Sequence, residues 1–107
     1  MANNYKNKKL DLTTTGATVL YTCPNATSGL VKSILVSEDS GNADTITVTI
    51  TDSDTNVFSL FKVKAVASNT TIELLTAPLV VQENEVLKCT AATANRLHVV
   101  ASLLEIS

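Results

Sequence analysis

The sequence predicts an all-β protein, folded as an antiparallel β-sandwich or a jelly-roll-like arrangement of seven to eight strands. Sixteen threonines, twelve valines and five isoleucines account for 33 of its 107 residues, and such branched side chains suit a pleated sheet better than a helix. One segment alternates apolar and polar residues with the period of two that marks a strand. Turn-forming residues recur roughly every 8–12 residues, which is the spacing of short strands in sandwiches and barrels.

The first three predicted strands cover the N-terminal third of the chain. They lie at residues 9–13, 17–22 and 29–37, and a break at Thr15-Gly16 separates the first two. The third strand carries apolar side chains on both of its faces, so we expect it at the centre of a sheet.

The fourth predicted strand, residues 44–52, has the clearest pattern. Ile46, Val48 and Ile50 alternate with four threonines, so one face is apolar and the other is polar. A helix would scatter the same side chains around its axis. The segment is therefore a strand with one face toward the core.

The fifth predicted strand, residues 57–66, places Phe61, Val63 and Ala65 on one face and two lysines on the other. We expect both phenylalanines of the chain in the core. Three further strands complete the set, at residues 70–75, 86–91 and 97–106.

The N-terminal segment is basic. Lys6, Lys8 and Lys9 lie in a stretch without acidic residues. Residues 1–9 are therefore predicted to form a solvated, partly mobile arm, ahead of one β-sandwich domain at residues 10–107. The alternative is an arm that lies on a neighbouring subunit or on an acidic partner surface.

Composition excludes several partner classes. The net charge of −2 gives no electrostatic reason to bind nucleic acid or an anionic membrane. No secretory signal and no long apolar segment is visible, so we expect a soluble protein made in a cytoplasm. Cys23 and Cys89 are far apart and form no C-x-x-C pair, so we expect two free thiols there.

No catalytic motif stands out in the sequence. There is no G-x-S-x-G elbow, and three glycines are too few for a phosphate-binding loop. His98 is the single histidine, so a paired or surface imidazole is favoured over a zinc ligand. We therefore predict no catalytic residues, no cofactor and no enzymatic activity.

The turn at residues 52–56 partly resembles a calcium loop. Asp52, Asp54 and Asn56 supply alternating oxygen ligands, but Val57 replaces the glycine and Val63 replaces the bidentate glutamate that such a loop requires. An acidic β-turn is the favoured interpretation, and a weak calcium site is the alternative. A cation site shared with the acidic loop at residues 38–44 is possible if the two loops lie at the same edge of the sandwich.

Read in order, the strands resemble a small β-sandwich module of virion structural proteins from tailed bacteriophages, including marine ones. The matching stretches are LYTCP (residues 20–24), VKSILVS (31–37), ADTITVTI (43–50), ASNTTIEL (67–74), PLVVQENEVLK (78–88) and VVASLLEI (99–106). The chain departs from the pattern at Cys23, where valine is expected, and at Asn84-Glu85, where Gly-Asp is expected. Neither departure supplies a catalytic group.

The resemblance implies a non-enzymatic virion component. We expect a capsid decoration protein that forms a symmetric oligomer, a trimer, and that binds other virion proteins such as the major capsid protein. A tail, neck or fibre component is the first alternative. A host-surface binding module that uses the acidic loops and a cation is the second, although the chain has only four aromatic residues with which to stack sugars.

The last predicted strand is the expected interface. Leu97, Val99, Ala101 and Leu103 form one apolar face, and the other face is also largely apolar. Together with the three basic residues of the arm, these four are the candidate interface residues. The alternative is that both faces of the strand are covered within one sandwich.

Overall fold

The computed structural model describes residues 3–107 and confirms the all-β prediction. These residues form nine strands in two antiparallel sheets and no helix, so the described chain contains no helix able to span a membrane. The strands are β1 (Asn3–Asp11), β2 (Thr18–Thr22), β3 (Ser28–Glu38), β4 (Asp44–Thr51), β5 (Val57–Val66), β6 (Thr71–Glu73), β7 (Leu79–Val81), β8 (Val86–Ala91) and β9 (Leu97–Ile106).

The central pair of sheet 1 is β9 and β3, and the central pair of sheet 2 is β8 and β4. Sheet 1 has the order β1-β9-β3, and the short strands β6 and β7 both pair with the far side of β3. Sheet 2 has the order β2-β8-β4-β5. The prediction that β3 is central is confirmed, because it pairs with β9 on one side and with β6 and β7 on the other.

The core lies between the two sheets. It contains the inward rows of the central strands, including Val31, Ile34, Ile46, Val48 and Leu87, none of which is exposed to solvent. The alternation seen in the sequence of β4 therefore matches its burial, with isoleucine and valine inside and threonine outside. The molecule measures 44 × 26 × 22 Å.

The prediction of a basic arm is wrong for residues 3–9. Met1 and Ala2 lie outside the described residues, but Asn3 to Asp11 form strand β1, which pairs with β9 in unbroken register. The backbone hydrogen bonds of this pairing order a segment that is charged and shows no strand pattern of its own. Because the partner strand β9 lies at the other end of the chain, the local sequence does not reveal it.

The expected face of the fifth strand is also wrong. The pairing of β4 with β5 shifts register at two places, and a β-bulge changes the face to which the following side chains point. As a result Val63 and Ala65 are exposed and Val66 is buried. Phe58, expected in the core, is more than half exposed.

Strand β7 is absent from the predicted set. It contains three residues, Leu79 to Val81, too few to show a period of two in the sequence. It forms because Val31, Leu30 and Gly29 of β3 lie beside it in antiparallel register. Strand β7 therefore depends on its pairing with β3 and could not be predicted from its own three residues.

Candidate functional site

The four apolar candidate residues of β9 lie inside the sandwich. Leu97, Val99 and Ala101 have no exposed surface and Leu103 is almost fully buried. The prediction that this row forms an intermolecular interface is therefore wrong, because sheet 2 of the same molecule covers it. The outward row of β9 consists of His98, Val100, Ser102, Leu104 and Ile106.

The three candidate lysines lie on β1 and differ in environment. Lys6 faces the interior side of the sheet, where its Nζ lies 2.9 Å from Glu105 Oε1. Lys8 and Lys9 are exposed. Sheet pairing therefore separates this basic segment into one structural ion pair and two solvated charges.

Glu105 connects the two sheets. The hydroxyl of Tyr21, on β2, donates a 2.6 Å hydrogen bond to Glu105 Oε2, on β9. This hydrogen bond, together with Lys6, lowers the pKa of Glu105 even though burial acts to raise it. Burial and the bond to Glu105 raise the pKa of Tyr21, so the phenol stays protonated as the donor.

The calcium candidates form a hydrogen-bonded turn. Asp52 Oδ1 accepts the backbone N–H groups of Asp54, at 3.0 Å, and Asn56, at 2.9 Å. An Asp side chain that bonds the backbone two residues on is ordinary turn chemistry. Among residues 3–107, no group of three or more His, Cys, Asp or Glu side chains could hold a metal ion.

The second acidic loop cannot share a cation with this turn. Asp44 and Asp52 bracket β4, and eight strand residues place its ends about 25 Å apart. The two loops therefore lie at opposite ends of the sandwich. Asp44 instead accepts the backbone N–H of Thr93 at 3.1 Å.

Glu38 is buried at the same end of the sandwich as Asp44, and both oxygens of its carboxylate accept hydrogen bonds. Its carboxylate accepts the backbone N–H groups of Ser40, Gly41, Asn42 and Asn69, and the Ser40 hydroxyl. Burial acts to raise its pKa, but these bonds outweigh burial and lower the pKa to about 2. Glu38 therefore orders two loops and presents no free oxygen to a cation.

The single histidine lies on the outer face, beside two carboxylates. His98 Nε2 is 3.2 Å from Asp11 Oδ1, and His98 Nδ1 is 3.4 Å from Asp39 Oδ2. All three side chains are substantially exposed. This is the paired surface imidazole that the sequence favoured.

Both cysteines are free and fully buried. Cys23 Sγ donates to the carbonyl oxygen of Thr27 at 3.2 Å. Burial raises the pKa of the Cys89 thiol to about 12, which suppresses the thiolate form needed for disulfide exchange.

The two outer faces of the sandwich differ in chemistry. On sheet 2 most outward positions of the central strands are polar (Thr45, Thr47, Thr49, Thr51, Lys88 and Thr90), and Val86 on the same face is apolar. On sheet 1 one set of outward positions forms an apolar row across four strands. Tyr5 pairs with Leu104, Leu104 with Leu30, and Leu30 with Val80.

A second row crosses sheet 1 nearer its other end. Lys9 pairs with Val100, Val100 with Leu35, and Leu35 with Glu73. Its centre is apolar, and its two ends carry opposite charges. The outer face of sheet 1, defined by these two rows, is a candidate interaction surface that the sequence did not reveal, because only the strand register shows which residues align across the sheet.

A separate apolar groove of about 310 Å³ runs along the side of the sandwich. It lies between β5 and the segment that joins β6 to β7, and Leu60, Phe61, Leu75, Pro78 and Leu79 contribute to its lining. Phe61 is thus half-buried at this groove.

Comparisons with known proteins support the fold. No family model matches the sequence, and no curated protein matches it. Among solved structures, the chain is similar to one from Bacillus endospore appendages, which are described as a novel family of disulfide-linked pili. The match has a TM-score of 0.60 and 9% sequence identity, and it covers 99% of this chain and 87% of that one.

Proposed function

We propose that the protein is a non-enzymatic structural component of a bacteriophage virion, a capsid decoration protein that binds to itself and to the major capsid protein. The observation that carries this proposal is the outer face of sheet 1, where Tyr5 is 75% exposed and Val80 is 55% exposed. Tyr5 and Val80 are the exposed ends of one apolar row across four strands, and contiguous apolar surface on a small domain is typical of an interaction site.

The rest of the described chain is consistent with a structural role. The ionisable groups that are buried, including Glu38 and Glu105, are satisfied by hydrogen bonds and an ion pair within the fold. A protein present in many copies on a particle gains binding strength through avidity, so a modest contact by each copy suffices.

The direct test is binding to purified particles. The expected result is saturable co-sedimentation of the chain with capsids, and antibody label over the head shell in electron micrographs. Label confined to the tail axis would favour a tail, neck or fibre component. An absence of binding to heads and tails would contradict the proposal.

A subunit of a surface appendage is a second candidate, favoured by the fold similarity to the endospore pili. Its test is negative-stain microscopy of the concentrated protein with and without reductant. Filaments in both conditions would support this candidate. Filaments that need an oxidant would require the sandwich to open, because both cysteines are buried.

A further inference from the structure

The outer face of sheet 1 has a charge pattern that complements itself. In the row Lys9–Val100–Leu35–Glu73, the cation lies on β1, at one edge of the sheet, and the anion on β6, at the other. Burial acts to raise the pKa of Glu73, but hydrogen bonds from Ser33, Ile34 and Leu75 outweigh burial and lower the pKa. The carboxylate is therefore charged at neutral pH.

We propose that the outer face of sheet 1 binds the same face of a second copy, related by a two-fold axis parallel to the strands. Such an axis places β1 of one copy over β6 and β7 of the other. Lys9 of each copy then faces Glu73 of its partner, and Tyr5 faces Val80. Two sheets packed in this way form an aligned sandwich contact.

The other row makes the apolar part of this contact. Tyr5 and Val80 are at its exposed ends, while Leu104 and Leu30 between them are largely covered. The Nζ of Lys32 lies over the Tyr5 ring, 5.5 Å from its centre, so a cation–π contact holds that ring within the row. Aromatic and aliphatic side chains with nearby charges are typical of the centre and rim of an interface.

The area of the face is sufficient for a weak, specific dimer. Four strands at their usual spacing, over the length of the outward row of β9, cover roughly 500 Å² per copy, or about 1,000 Å² in total. That is the lower limit for a specific interface. A contact of this type is closed and pairs identical surfaces, so the inference replaces the expected trimer with a dimer.

The test is the oligomeric state of the full chain, measured by sedimentation velocity between about 5 and 500 μM. The expected result is a mass that rises from 11.3 kDa toward twice that value. Val80→Lys should weaken the association at least about tenfold. Val19→Lys is the matched control, because Val19 is 47% exposed on an edge strand of sheet 2, and it should leave the association unchanged.

A charge pair tests the two-fold geometry. Tyr5→Glu alone should weaken the dimer, and combining it with Val80→Lys should restore much of the loss, because the two positions meet only across the proposed interface. Within one copy they are three strands, about 14 Å, apart. Circular dichroism of each variant establishes that it is folded.

Three results would overturn the inference: a monomer at every concentration, a trimer, or equal weakening by Val80→Lys and Val19→Lys.

The inference rests on the proposed function, but an experiment can contradict either one without contradicting the other. A chain that dimerises and binds no virion supports the inference and removes the function. A monomer whose capsid binding is lost in Val80→Lys supports the function and overturns the inference, because another virion protein then occupies the face.

Discussion

At the scale of single residues, three glutamates stabilise the fold with their carboxylates. Glu38 binds the backbone of two loops, Glu73 binds the irregular segment of β3, and Glu105 joins the two sheets. Each carboxylate accepts hydrogen bonds that favour its charged form, and the pKa of each is lowered. In the sequence, Glu38 is indistinguishable from an exposed residue of an acidic loop, which is why its role could not be predicted.

Acid should destabilise the protein through Glu38. Its pKa is about 2 in the folded state against an ordinary value of 4.5, so its contribution to stability is complete above pH 4.5 and is lost as the pH falls toward 2. The free energy of unfolding, measured by urea denaturation from pH 7 to pH 2, should fall across that window.

Substitution distinguishes the contribution of Glu38 to the pH dependence of stability from that of the other acidic groups. Glu38→Gln should lower stability at neutral pH and flatten the acid-dependent fall. Asp54→Asn, on an exposed turn, is the control and should leave the profile as in the wild type. Equal pH profiles for the wild type and Glu38→Gln would contradict this role.

Gly29 is required because of the ring beside it. A Cβ at this position would lie 2.9 Å from Tyr21 Cε2 and 3.0 Å from its hydroxyl oxygen, and Tyr21 is held by Glu105. Gly29→Ala should therefore destabilise the protein by about 1–3 kcal/mol in chemical denaturation. At Gly16 the nearest atom would be 3.9 Å away, so Gly16→Ala should be neutral or slightly stabilising.

At the scale of elements, the edge strands differ most from their predicted form. β5 contains Val63 in the left-handed region, with a φ of 53°, which costs a β-branched residue about 1–2 kcal/mol. The Val63 N–H donates to Thr47 Oγ1 at 3.0 Å, outside the regular ladder. Such a bulge shields an edge against pairing with other strands.

Relief of this strain should be measurable. Val63→Gly should stabilise the protein by about 0.5 kcal/mol or more, since the relieved strain exceeds the added entropy of the unfolded chain. Val57→Gly, at a similarly exposed position of the same strand that has no positive φ, should destabilise it by about 0.5–1 kcal/mol. Thermal unfolding of the pair should give shifts of opposite sign, and shifts of the same sign would contradict the strain argument.

Strand β1 should be needed for stability. Deletion of residues 1–9 removes most of the ladder on β9 and exposes its edge from Val100 to Ile106, which favours unfolding and aggregation. We expect loss of a large part of the ~5–15 kcal/mol that stabilises a domain of this kind. Replacing Lys8 and Lys9 by serine removes charge and keeps the strand, so that variant should remain folded. A deleted chain with wild-type stability would restore the interpretation of residues 3–9 as an arm.

At the scale of the whole molecule, a buried polar contact joins the two sheets among apolar ones. Tyr21 of sheet 2 and Glu105 of sheet 1 meet in the interior, and Lys6 completes the group from β1. The contact fixes how one sheet sits on the other, because a buried hydrogen bond is directional while apolar contacts are not.

Removing the Tyr21 hydroxyl should weaken the whole fold. Tyr21→Phe leaves a buried carboxylate with one partner fewer, and hydrogen bonds to charged groups contribute about 1.5–3 kcal/mol. Urea denaturation should show a loss of that size. Tyr5→Phe, on an exposed ring, is the control and should change stability by less than about 0.5 kcal/mol. Similar losses in the two variants would contradict the role of the contact.

The fold class and the approximate position of most strands follow from the amino-acid sequence. They do so because the alternation of side chains along a strand is local, as in β4, where the isoleucines and valine lie inside and the threonines outside. The sequence also indicated correctly that His98 is a paired surface residue.

Three features come from tertiary contacts: the apolar row of β9 that faces the core, the edge strand formed by residues 3–9, and the enclosure of Glu38 by two loops. Tertiary contacts also align Tyr5, Leu104, Leu30 and Val80 into one outward row. The physical reason is that strand pairing and register join residues far apart in the chain, and a shift of one residue exchanges the two faces of a strand.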